Sequence, residues 1–152
     1  MADMKLVTYC GLYCDLCAQR ARIPERAHGL KDILTKEGFV YWSKGLAGCE
    51  EFWEFLCNLS DTEKSCPGCR QGGGNPDCDL RKCAKEKGVE VCCFCNEYPC
   101  ERIKDFSKVY PTVITDGQRL KEIGTDAWIE EQKARKKTGF AYCDIRNPYP
   151  QQ

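Results

Sequence analysis

Apolar positions recur with helical rather than strand spacing along most of the chain. Leu30, Ile33 and Leu34 fall at i, i+3 and i+4 and Gly38 follows, so the spacing predicts a helix over 27–36. Phe52, Trp53, Phe55, Leu56 and Leu59 give 49–59 a broad apolar face, which makes it the best core helix of the sequence. Residues 79–87 read as a short helix capped by Gly88. Ile103, Phe106, Val109 and Tyr110 form one face, and Pro111 stops it. Asp116-Gly117 reads as a turn. Leu120, Ile123 and Gly124 precede a helix over 126–137 that carries Trp128 and Ile129, and Asn147-Pro148-Tyr149-Pro150 is a tail. Alternation of strand type is scarce. The expected fold class is mainly α with little β, its turn-rich Cys loops stapled by metal as zinc knuckles. Three stretches follow within one domain: 1–60 with a first Cys cluster and helices, 61–100 as a Cys-rich module, and 101–152 as helices and tail.

Composition changes that picture in one respect. Leu, Ile, Val and Phe make up only about 19% of the 152 residues, while there are 14 cysteines. A chain so poor in aliphatic side chains needs staples, as disulfides or metal ligands. Met1 to Tyr9 holds no apolar stretch of signal-peptide length and no run is long enough to span a bilayer, so the expected compartment is the cytoplasm. In a reducing cytoplasm the cysteines read as metal ligands. Lys plus Arg equals Asp plus Glu, 23 each. Two four-thiolate zinc sites would shift the formal zero to about −4. Nucleic acid is therefore an unexpected partner, and so is a membrane.

The cysteines are clustered. Cys10, Cys14 and Cys17 form C-x3-C-x2-C; Cys66 and Cys69 form C-x2-C around Pro67-Gly68; Cys78 and Cys83 form C-x4-C; Cys92 and Cys95 form C-x2-C, and Cys100 follows after four intervening residues. Two-residue spacing lets one tight turn bring two thiolates to one metal, and Pro-Gly suits that turn. Two such knuckles frame a tetrahedral zinc site. The first grouping is Cys66, Cys69, Cys92 and Cys95; Cys66 and Cys69 with Cys78 and Cys83 is the alternative. Cys10, Cys14 and Cys17 would be completed by Cys100, Cys83 or Cys78. C-x3-C-x2-C is also the spacing of the iron–sulfur ligands of radical enzymes, but those need a βα barrel far longer than this chain. With one histidine, His28, every site must be nearly all thiolate, which suits zinc and iron–sulfur alike.

The segments Cys10-Gly11-Leu12-Tyr13-Cys14, Cys66-Pro67-Gly68-Cys69-Arg70, 83–90 and Glu97-Tyr98-Pro99-Cys100 together resemble an uncharacterised prokaryotic family, domain of unknown function 3795, over about residues 5–137. The resemblance implies a Cys-rich, metal-binding protein with no assigned reaction. Its pattern matches ten cysteines: Cys10, Cys14, Cys17, Cys66, Cys69, Cys78, Cys83, Cys92, Cys95 and Cys100. It favours Cys92 over Cys93 as the knuckle partner of Cys95.

The remaining features have plainer readings. Cys49 and Cys57 read as small buried apolar residues, and Cys93 and Cys143 as spare thiols. His28 reads as a solvated or capping residue, which leaves no activated Cys–His pair. Gly72-Gly73-Gly74 lacks the ending of a phosphate loop and reads as a connector. Lys133, Arg135, Lys136 and Lys137 complement a helix C-terminus. No paired carboxylate or His base marks an enzyme. The expected function is a Cys-rich protein with about two structural zinc ions and a surface for a protein partner. An iron–sulfur redox protein is the first alternative, and soft-metal handling or thiol chemistry the second.

Overall fold

The computed structural model describes residues 4–149. Among these the chain is helical but for 3-10 turns, loops and one isolated antiparallel bridge, Val7 with Tyr13. No helix among the described residues is long and apolar enough to cross a membrane. The fold divides into two compact units, and the boundary falls between Cys66 and Pro67, inside a C-x2-C pair.

Ala18–Cys66 is one unit. After a short turn, α1 (Ala18–Ala21), it is a helical hairpin: α2 (Ile23–Lys36), α3 (Phe39–Trp42) and α4 (Cys49–Ser60). Helix α2 begins four residues before the predicted start because Pro24, at the head of the helix, has its φ already set for it. Gly38 and Gly48, both at positive φ, open α3 and α4. The two long helices pack along each other. They are antiparallel, since Ile23 and Pro24 at the start of α2 line the same groove as Asn58 and Leu59 at the end of α4. Phe39 is the hub, with its ring 5.0 Å from Trp42, 5.7 Å from Phe52 and 5.6 Å from Trp53. The core is thin. Only Ala27, Phe39 and Leu56, beside Pro24, Ser43 and Ser60, are buried. Leu56 is the inner residue of α4, as its pattern predicts, but Phe55 faces outward and Phe52, at the edge with one side against Phe39, is 41% exposed.

Residues 4–17 and 67–149 form the other unit, which carries α5 (Asp79–Glu86), α6 (Glu101–Ser107), α7 (Val113–Ile123) and α8 (Thr125–Lys137). Val7, Leu16, Val91, Ile103, Val113, Leu120 and Trp128 are fully buried together. Trp128 meets the Tyr13 ring edge-on at 6.1 Å, and the Tyr13 backbone N–H donates to the Tyr142 hydroxyl at 3.0 Å. The Asp116-Gly117 turn does not form: both residues lie inside α7. The glycine serves packing, because a Cβ on Gly117 would collide with the Tyr98 hydroxyl and reach 3.4 Å from the Cys93 Cβ. That hydroxyl donates to the carbonyls of Val113 and Ile114. The tail is irregular to Tyr149, and Pro150 lies outside the described residues.

Candidate metal centre

Three consecutive pieces of the cysteine-rich unit wall one cavity of about 470 Å³. Helix α5 contributes Cys83, the 3-10 turn Cys92–Phe94 and its following residue contribute Cys92 and Cys95, and the head of α6 contributes Cys100. The turn is tight: the Cys95 N–H donates to the Cys92 carbonyl at 3.0 Å, and the Tyr98 N–H to the Cys95 carbonyl at 3.1 Å. The Cys92 N–H is anchored on the Tyr9 carbonyl at 2.7 Å. The Tyr98–Pro99 peptide bond is cis, and Cys100 then stands at the N-cap of α6, with its carbonyl accepting from the Lys104 N–H.

The electrostatics are mixed. Burial pushes the Cys92 thiol up to about 12, and the neighbouring Cys10, Cys100 and Cys83 add to that. Against this stands Lys87, whose ammonium lies 4.0 Å from the Cys95 sulfur and 2.8 Å from the Glu97 carboxylate. The hydrogen bond and charge of Lys87 hold the Glu97 carboxyl below its ordinary range. Arg102 is a second cation in the wall.

A second set of cysteines lies around the N-terminal segment. Burial pushes the Cys10 thiol up to about 12, and Cys69 and Cys78 raise it further; the Thr8 hydroxyl, 3.0 Å from the sulfur, works against them. Cys14 and Cys17 form a 3-10 turn of the same kind as Cys92 and Cys95, with the Cys17 N–H on the Cys14 carbonyl at 2.9 Å. Gly68, at φ 104°, sits over Cys14, where a Cβ would lie 3.4 Å from the sulfur. Two guanidinium groups hold this region. Arg70 donates to the carbonyls of Val7 and Glu90 and lies over the Tyr9 ring at 4.3 Å. Arg81 donates to the carbonyls of Cys69, Gly73, Asn75 and Pro76 and so closes the loop before α5. Neither role has a local signal in the sequence.

Cys92 and Cys95 share their cavity with Cys83 and Cys100, and Cys69 does not line it. The reason is connectivity: α5, the turn and α6 follow one another, so these four come together over short spans. Cys78 and Cys83 part because five residues of helix turn the chain by about 140° between them. Cys66 lies on the hairpin side of the unit boundary, where its carbonyl accepts from Arg20. Cys93 is fully buried in the core, Cys143 is exposed, and Cys49 and Cys57 are half-buried rather than buried.

Four sulfurs with no histidine are a donor set for a borderline or soft cation. As the side chains stand, no three or more His, Cys, Asp or Glu among the described residues are arranged to hold a metal ion. The thiols around the cavity would have to turn inward to ligate one.

A family model described as a protein of unknown function, DUF3795, matches residues 6–105. The chain belongs to that family. The match runs from the first cysteine cluster to the middle of α6 and includes every cysteine of the DUF3795 pattern set out above. No curated protein and no solved structure matches the chain.

Proposed function

We propose that this DUF3795 member is a metal-binding protein in which Cys83, Cys92, Cys95 and Cys100 hold one zinc ion as thiolates. The observation that carries the reading is that these four residues, and no histidine or other cysteine, line one cavity, so that a turn of their side chains would bring the sulfurs to a common point. Bound zinc would supply four bonds of about 2.3 Å to sulfur and so staple α5 to α6. A four-thiolate zinc carries about two net negative charges; of the cations in the wall, Lys87 stands nearest a sulfur but is paired with Glu97, and Glu86 and Glu101 line the same cavity beside Arg102. Because the Cys92 thiol is raised, its proton must leave on binding, and affinity weakens as pH falls. A second ion would draw on Cys10, Cys14, Cys17, Cys66, Cys69 and Cys78. The role of both is structural, and the protein offers a surface to a partner.

The size of the cavity favours a second reading, a 4Fe–4S cluster on the same thiols, because a single ion leaves most of 470 Å³ unused. Metal analysis with a visible spectrum, on protein purified without oxygen, separates the two. The zinc reading expects about two colourless zinc ions per chain, chelator-induced loss of helical signal, and loss of one ion in Cys95→Ser. Iron with equal sulfide and a broad visible band supports the cluster. Protein that binds neither, with Cys95→Ser melting like the parent, overturns both.

A further inference from the structure

The hairpin of residues 18–66 leaves an apolar face on its outside. On α2, Ile23, Leu30 and Ile33 are exposed, about 100° round the helix from the inner residues Pro24, Ala27 and Leu34. On α4, Phe52, Phe55 and Leu59 lie about 100° round in the same rotational sense from Cys49, Trp53 and Leu56. Two antiparallel helices with stripes offset in the same sense present them on one face. The structure agrees, since Ile23 and Leu59 line one groove. The exposure is large: 63% for Phe55, 59% for Ile33, and 83% for Tyr41 on α3 at the end of the hairpin.

We propose that this face is the interface with a second copy of the chain, the two hairpins packing into a four-helix bundle. The proposal gives the partner surface of the preceding section an occupant; it rests on that half of the reading and not on the metal. Two arguments select a second copy. The first is area. At about 200 Å² per large side chain, the exposed fractions of the stripe amount to roughly 500 Å², and those of Tyr41 and Trp42 on α3, at the end of the hairpin, bring the total to roughly 800 Å², the area that one partner of a stable complex buries. The second is charge. The α2 stripe carries exposed Arg26 near its start and Glu37 just past its end; Glu51 of α4 lies at the Glu37 end, and so does Lys44, whose ammonium is 6.0 Å from the centre of the Tyr41 ring. A two-fold axis parallel to the helices would stack like charges. One perpendicular to them, in the plane of the interface, sets Arg26 of each copy against Glu37 and Glu51 of the other and centres the contact on Leu30, Ile33 and Phe55. The face is thus self-complementary, as an isologous interface must be.

Sedimentation equilibrium of the full chain over a wide concentration range tests this, with circular dichroism and metal content measured on the same samples. The expected result is a concentration-dependent doubling of mass that Phe55→Glu abolishes with helical signal and metal content unchanged. Arg26→Glu weakens association roughly tenfold or more, and adding Glu37→Arg restores it. Should Phe55→Glu misfold, the charge reversal and its rescue decide. A wild-type chain that stays monomeric, leaving the face to a different protein, overturns the proposal. So does a dimer that survives both single substitutions. Metal content is read separately, so loss of metal with the dimer intact overturns only the metal reading.

Discussion

The two units spend their apolar residues in opposite ways. The cysteine-rich unit closes around a core: Trp128, Tyr142, Leu16, Ile103, Leu120 and Ile129 are at most 2% exposed, and Phe94, Ile145 and Tyr149 are its large apolar residues left outside. The hairpin is rich in aromatics and leaves Tyr41, Trp42, Phe52 and Phe55 outside. A unit closed around a core draws its stability from within, whereas one that leaves its apolar stripes outside has surface still to bury. Trp128→Ala strikes the first kind of packing and should have the largest effect. It empties a site with no exposure and removes the edge-on contact with Tyr13, for a loss of about 3–5 kcal/mol in denaturant unfolding. Its indole N–H has no hydrogen-bond partner, so Trp128→Phe should retain most of the stability.

Leu56→Ala makes the matching cut in the hairpin. Leu56 is 3% exposed, but its neighbours on α4 are half open to water. A site so thinly covered relaxes or admits solvent, and the loss should sit near the lower end for such a change, about 2 kcal/mol. The same denaturant series measures both. A Leu56→Ala loss equal to that of Trp128→Ala would mean that the hairpin is as well packed as the other unit, and the contrast would fail.

The same difference decides what was legible in the sequence. Period 3.6 predicts helices wherever an apolar face exists, so α4, α5 and α8 were readable to within two residues, with Trp128 and Ile129 inside. Periodicity says nothing about whether a second element covers the whole face, and so Phe52 and Phe55 read as core and are exposed. Gly117 reads as a turn because its reason for being glycine is the Tyr98 hydroxyl, 19 residues away in sequence. The cysteines were legible as clusters, whereas the cavity that Cys83, Cys92, Cys95 and Cys100 line follows from the succession of α5, the turn and α6. Arg70, reaching Val7 across 63 residues, had no local signature at all.

The smallest effect expected has the opposite sign. Asp116 on α7 is largely buried beside Arg135, Thr112 and Tyr142 and forms an ion pair with Arg135 at 3.1 Å. Burial nevertheless pushes its carboxyl above the ordinary range, because the attraction of Arg135 and the Thr112 hydrogen bond repay only part of the lost hydration. A carboxyl raised in the folded state stabilises fully only below its unfolded value of about 3.9, and that contribution is lost as pH rises through the folded value. At neutral pH the carboxylate is therefore a net cost. Asp116→Asn keeps one oxygen to accept from Arg135, turns its amide N–H toward the Thr112 hydroxyl, which can accept, and removes the charge. It should raise stability at pH 7 by a small amount, under about 1 kcal/mol, although it breaks an ion pair. The gain should shrink as pH is lowered toward 4, where the wild-type carboxyl takes up its proton. Melting temperatures of both proteins from pH 4 to 7 decide it. A variant less stable at pH 7, with the gap closing in acid, would show that Arg135 repays the burial in full.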